Sequence, residues 1–144
     1  MAEFPTVEGS YRITVDWEIV LRGVFQRRFD GDTLVLWRPG LLAHIDVTGN
    51  ADDEPKEVRH RRIQEGAPGE ALDVLTETNG ALIRFAYRLA KSAPGRPPFY
   101  GFAVGNSGHV RIVVSFDSED DLATVHGMWR GLREVLSTPL GGCS

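Results

Sequence analysis

The residues of this chain that could do chemistry are few and weakly grouped. His44 and Asp46 alternate along an extended stretch and so share a face, where they would offer two ligands to a metal that takes a third from elsewhere. His109 and His126 would meet if the last helix crosses the last hairpin, and two imidazoles together can serve a metal or move a proton near neutral pH. Isolated histidines at strand ends and helix flanks are more often hydrogen-bonded structural groups, which is the reading preferred for all four. The sequence contains no Gly-x-x-x-x-Gly-Lys phosphate loop, no Gly-x-Gly-x-x-Gly, no Gly-x-Ser-x-Gly elbow and no His-Glu-x-x-His. The lone Cys143 excludes an internal disulfide and a cysteine-based metal cluster, and is expected to be an incidental exposed thiol. No residue is assigned to catalysis, cofactor or metal, so the chain is expected to carry none and not to be an enzyme.

Binding is the stronger expectation. Trp17, Phe25, Trp37, Tyr87, Tyr100 and Phe102 could line a pocket, because Tyr and Trp bring a polar handle to an apolar wall, although such residues are more often core. Gly127 and Gly131 interrupt an amphipathic helix on the side opposite its apolar stripe, each at a cost of about 1 kcal/mol relative to Ala. With Ala123 and Thr124 they make a small-residue patch that a partner or second subunit could approach; the alternative is that exposed glycines are merely tolerated there. The basic run Arg59-His60-Arg61-Arg62 reads either as an anion patch or, preferably, as a solvated helix face.

The elements that must position these residues are outlined by turn dipeptides, since Asn-Gly and Asp-Gly supply the positive φ angles of tight hairpins. A two-residue loop at Asn79-Gly80 pairs Thr76 with Ile83, Val74 with Phe85 and Leu72 with Tyr87, and sets Asp73 and Glu77 near Arg84 and Arg88 on the other face. At Asp30-Gly31 the same procedure pairs Phe25 with Leu36 and Arg27 with Leu34; at Pro39-Gly40 it pairs Leu36 with Ala43 and Leu34 with Ile45. Both turns place Phe25, Leu34, Leu36, Ala43 and Ile45 on one face of a three-stranded meander. The hairpin from Phe99 to Phe116 around Asn106-Ser107 carries Phe99, Ala103, Val110, Ile112, Val114 and Phe116 on one face. Its other face carries Tyr100, Phe102, Val104 and Val113, with His109 and Arg111. Two apolar faces require cover on both sides, so this hairpin is expected centrally. The second face is covered by the middle helix and the N-terminal strand, Ser10 to Trp17, or it is open, in which case it is the binding site.

Two helices complete the reading. Asp117 or Ser118 caps a long C-terminal helix with a stripe at Leu122, Val125, Trp129, Leu132 and Leu136, which packs on the sheet and stops before Pro139. A shorter middle helix spans Glu54 to Glu65, with Pro55 in its first turn and Gly66 after its end. The stiff segment from Ser92 to Pro98 reads as a surface loop. The fold class is therefore α+β: a central antiparallel sheet built from hairpins, flanked by a long C-terminal helix and a shorter middle helix. One domain over 1–144 is expected, with flexible tails at 1–9 and 138–144.

With 144 residues, 42% hydrophobic and 25% charged, the composition is that of an ordinary globular domain with one core. Sixteen basic and 20 acidic residues, interspersed to a net charge of −4, make nucleic acid a poor partner. No apolar run reaches the roughly 18 residues of a membrane span, and the N-terminus lacks the pattern of a signal peptide, so a cytoplasmic location is expected.

The order of elements, together with "DGDTLVLWRPGLLAHIDV" early and "VRIVVSFDSEDDLATVHGMW" late, resembles the small α/β proteins of the PsbP and DcrB kind. There, a strand ending in Phe-Asp leads into the final helix, as Val110 to Asp117 does here. The resemblance implies a non-enzymatic, bacterial accessory or adaptor role and carries over no functional residues. The expected function is a cytoplasmic binding protein of the accessory, adaptor, immunity or chaperone type. Its partner is another protein or a homodimer mate, and its candidate binding surface comprises Tyr100, Phe102, His109, Arg111, Gly127 and Gly131. The alternative is an enzyme or small-ligand binder with a pocket between sheet and helix.

Overall fold

The computed structural model describes residues 5–69, 71–89 and 98–135. Among these residues, nine strands and two α-helices form an α+β fold. The strands are β1 (Thr6–Arg12), β2 (Trp17–Asp30), β3 (Thr33–Arg38), β4 (Leu41–Gly49), β5 (Ala71–Asn79), β6 (Leu82–Leu89), β7 (Phe99–Gly105), β8 (Gly108–Phe116) and β9 (Leu132–Glu134). Helix α1 is Lys56–Glu65; α2 is Leu122–Arg130, entered through a 3-10 turn at Glu119–Asp121. The sheet runs β1-β2-β3-β4-β8-β7-β6-β5, antiparallel throughout, with β9 added to β2.

The central hairpin lies in the middle of this order, and its register is the expected one, from Phe99 opposite Val114 to Gly105 opposite Gly108. The Pro39-Gly40 turn is also as expected, with Leu36 opposite Ala43 and Leu34 opposite Ile45. The other two hairpins differ from expectation by two residues. Asp30 faces Thr33 and Asn79 faces Leu82, so the loops are Gly31-Asp32 and Gly80-Ala81. Each glycine has a positive φ, +60° and +59°, and the residue after it does not, which puts glycine at the first central position of a II′-like turn. A slip of two preserves the faces, and Phe25, Leu34, Leu36, Ala43 and Ile45 are buried together. The one true change of face is in β5. There the register breaks between Leu72 and Leu75, Asp73 takes φ +52°, and Leu72 and Val74 are left 44% and 52% exposed instead of packed beside Tyr87 and Phe85.

The inner face of the sheet is closed by α2, whose Val125, Met128 and Trp129 are buried against it. Ser118 caps the entry by accepting a hydrogen bond from the Asp120 amide at 3.1 Å. The expected long C-terminal helix is not present. Helix α2 stops at Arg130 because Gly131, with φ −81° and ψ −7°, turns the chain against β2. The Val20 amide donates to the Gly131 carbonyl at 2.9 Å, and Leu132 then pairs with Ile19. Leu132 is buried as the helical stripe required, but it reaches the core from a strand. The rest of the stripe, Leu136, lies outside the described residues, as do Pro139, Cys143, most of the Ser92–Pro98 loop and both terminal segments 1–4 and 136–144. Residues 6–9, expected as part of a tail, belong to β1.

Helix α1 ends before Gly66 as expected but starts at Lys56, two residues later than expected, because Pro55 is extended as its N-cap and the Glu54 amide donates to Asn50 Oδ1 at 2.8 Å instead of joining the first turn. It lies on the second face of the sheet, over β6 and β7. The N-terminal strand does not cover that face; it is the edge strand beside β2.

Two glycines make the closure by α2 feasible. A Cβ on Gly101 would stand 2.6 Å from Trp129 Cδ1, and a Cβ on Gly131 would collide with the Val20 carbonyl oxygen. Either substitution to Ala therefore forces α2 off the sheet and should cost about 1–3 kcal/mol, by analogy with overpacked cores. At Gly127 an added Cβ meets nothing, so Gly127→Ala should instead raise stability by about 1 kcal/mol. Chemical denaturation of the three single variants checks both signs.

Candidate functional site

The structure separates the six candidate residues onto two surfaces. Tyr100, Phe102, His109 and Arg111 lie on the second face, on β7 and β8, where Phe102 faces Arg111 and Tyr100 faces Val113 in the ladder. Gly127 lies on α2 and Gly131 caps its C-terminal end, on the other side of the sheet. His109 and His126 are likewise on opposite sides, since His126 packs beside Phe99 with ring centroids 5.3 Å apart, and the two do not meet.

On the second face the polar groups are engaged with one another. Arg59, expected in a solvated run, is only 5% exposed. Its guanidinium donates to His109 Nδ1 at 2.9 Å and to Asn50 Oδ1 at 2.8 Å, and lies 3.4 Å from Glu54 Oε1. Asn50 in turn donates to the carbonyls of Glu54 and Asn106, each at 2.9 Å, which pins α1 to the tip of the central hairpin. Because Arg59 donates to it, His109 Nδ1 is an acceptor, and burial reinforced by the Arg59, Arg62 and Arg111 charges lowers the His109 pKa to about 4. His109 is thus a neutral structural group. Arg111 pairs with Asp46 at 3.1 Å, and Asp46 also accepts from the Thr33 hydroxyl at 2.5 Å. Those bonds take the carboxylate that was paired with His44 as a metal ligand. Among the described residues, no three His, Cys, Asp or Glu side chains gather into a metal site.

Beside α1 an aromatic row remains partly open. Tyr87 and Tyr100 stack with centroids 5.3 Å apart and planes 7° off parallel, and Tyr87 also approaches the Phe85–Phe102 pair. Tyr100 and Phe102 are half-buried, while Trp17 and Phe25, from the same candidate set, are in the core. The second face is therefore covered by α1 over Phe85 and His109, while Tyr100 and Phe102 stay half-buried.

The other surface is a cleft of about 490 Å³ between α2 and β2. Gly127, Ala123 and Thr124 form its helical wall, with Val20 and Met128 at its base. Arg22, Arg130 and Arg133 are its charged lining. Its origin is a change of partner along β2. The first part of that strand, Trp17 to Ile19, pairs with β9, and its last part, Gln26 to Asp30, pairs with β3. Gly23, at φ +87°, lies between the two, and α2 crosses the gap. Gly131 is consumed in making this crossing, whereas Gly127 faces the cleft with open space beside it. Arg38 approaches from β3, with its guanidinium 5.0 Å from the Phe25 ring centre and 3.5 Å from Thr124 Oγ1. Arg130 is held by Glu77 at 2.6 Å. The bonds from Arg130 hold the Glu77 carboxyl below its ordinary range.

Sequence reasoning found the glycine wall of this cleft from the helical period but missed Arg22 and Arg133. They come from strands that pair only because the chain turns back at Gly131, and no local pattern announces that pairing. Compared with the models of known protein families and with curated proteins, the sequence matches none.

The His109 site gives a pH prediction. Its folded pKa lies below the ordinary 6.5, so the unfolded chain takes up the proton first, and stability falls as pH drops from about 6.5 to about 4. The melting temperature of His109→Gln, which keeps an acceptor for Arg59, should fall less over that window than that of the wild type. Loss below it belongs to carboxylates such as Glu77.

Proposed function

We propose that this chain is a non-enzymatic binding protein, an accessory, adaptor or immunity-type factor of the bacterial cytoplasm, and that its partner docks in the cleft between α2 and β2. The observation that carries this reading is Gly127. A glycine in the middle of a nine-residue helix costs about 1 kcal/mol, and here nothing inside the molecule requires it. A partner that must approach the helix backbone would require it. The PsbP- and DcrB-like order of elements supports the same role. The histidines are poor candidates for a reaction, since His109 is neutral and bonded to Arg59, and burial lowers the pKa of His60 and of His126.

One observation favours a second reading. A cleft of about 490 Å³ falls within the range of roughly 300–1,000 Å³ usual for small-molecule sites, so a small ligand is the alternative occupant. The two are separated by Gly127→Leu, whose side chain has room to enter the cleft without disturbing the core. Affinity capture from the source cell should retain a protein, or a second copy of this chain, on the wild type and lose it on Gly127→Leu, with the melting temperature maintained. Unchanged retention would remove the cleft from consideration. A small molecule carried through purification and seen by native mass spectrometry would replace the protein partner with a ligand.

A further inference from the structure

Resting on that docking reading, we infer that the occupant of the cleft is an acidic segment of a partner protein, its carboxylates set against Arg22 and Arg133 and a small apolar side chain seated over Gly127. The chain carries a net charge of −4, yet the titratable side chains that line the cleft are three arginines. Five arginines elsewhere have carboxylate neighbours of their own: Arg28 has Asp30, Arg59 and Arg62 share Glu54, Arg88 has Glu119 and Arg111 has Asp46. Within the cleft Arg130 is balanced by Glu77. Arg22 and Arg133 have no carboxylate within 4 Å among the described residues, although Glu18 faces Arg133 across the ladder. Both are exposed, so their guanidinium groups are free to turn toward a ligand. Arg38, whose guanidinium reaches Thr124 of the helical wall, adds a fourth arginine beside the three of the lining, and the four come from four different elements, β2, β3, α2 and β9, so that several carboxylates along a chain can each meet one.

The backbone points the same way. Arg22, Gly23 and Val24 belong to no ladder pair, because β1 bulges past them and β9 and β3 end on either side. All three residues are exposed and Arg22 lines the cleft, so an extended peptide laid along this stretch would meet β2 as an added strand does. Gly127 then accepts a side chain that any larger residue would exclude. Contacts of this exposed kind set partner choice and association rate more than affinity, and they weaken with salt.

The test is an anisotropy titration of a fluorescein-labelled peptide of alternating Glu and Ala against the full chain, beside a Ser-Ala peptide of equal length. The acidic peptide should bind and the neutral one should not. The double variant Arg22→Glu/Arg133→Glu, and separately Gly127→Leu, should each weaken binding about ten-fold or more, a change well outside the error of such titrations. All three substitutions are at open positions, and equal melting temperatures confirm that the variants are folded; Arg22→Gln with Arg133→Gln gives a milder arm should the reversal unfold the chain. Equal binding of both peptides, or no binding of either, overturns the inference. So does binding lost on charge reversal but kept in Gly127→Leu, which would place the peptide outside the cleft. Displacement of the peptide by millimolar citrate with the same dependence on Gly127 would assign the cleft to a small anion. A dimer of the wild type that dissociates on charge reversal would assign it to a second copy. A captured partner lost in Gly127→Leu but retained by the charge-reversed protein would sink the acidic occupant while leaving the docking reading standing.

Discussion

The rest of the structure depends on one close approach, that of Trp129 to the bare backbone of Gly101. A sheet with a continuous apolar inner face needs a lid, and α2 is the element available to supply one. Trp129 is fully buried, packs edge-on to Phe99 with centroids 5.8 Å apart, and donates its indole N–H to the Phe102 carbonyl at 3.0 Å. It can reach that carbonyl because position 101 has no side chain. The hydrogen bond satisfies a donor that would be costly to bury unpaired, and it fixes the helix along the central strands. A general apolar contact would leave α2 free to slide; this one does not.

The position of α2 in turn sets the course of the chain beyond it. With Trp129 seated, the helix must end where it meets β2, and Gly131 permits the contact with the Val20 backbone. The chain then has no course but to run beside β2, which creates β9 and occupies the edge of the first half of that strand. Since β3 occupies the edge of the second half, an opening is left between them. The cleft is thus a consequence of closing the core with a short helix that returns to the sheet. The two glycines of α2, equivalent by helical spacing, have unlike roles for the same reason, one facing the β2 backbone and the other facing solvent.

The second face shows how a sheet of this size deals with apolar surface on both sides. Helix α1 has little apolar surface of its own and is attached chiefly by polar contacts: Arg59, Glu54 and Asn50 join it to His109 and to the turn at Asn106. Burying a guanidinium is tolerable when its donors meet acceptors, and the neutral His109 supplies one without adding a charge. His60 lies edge-on to Phe85, 5.8 Å between centroids, so the helix also shields the aromatic row. Beyond its reach Tyr87 and Tyr100 shield one another by stacking, which leaves only part of Tyr100 to solvent.

The sequence by itself determined the faces of the second half of β2 and of β3, β4, β6, β7 and β8, the central place of the Asn106-Ser107 hairpin, the C-terminal end of α1 and the stripe that α2 buries. These are local properties: a side chain two residues along a strand returns to the same face, so even turns misplaced by two residues left Leu34, Leu36 and Ala43 on the correct side. What only the tertiary structure decided is where the periodic pattern ends and what crosses it. Leu132 fits a helical stripe and a buried strand equally well, and the choice was made by the Val20 backbone, more than 100 positions away in the chain. Arg59 reads as one of four basic residues until His109 and Asn50 are brought beside it. The arginines of the cleft are the extreme case, because Arg22 and Arg133 become neighbours only through that same return of the chain, and a pairing created by the packing of a helix leaves no mark in the local order of residues.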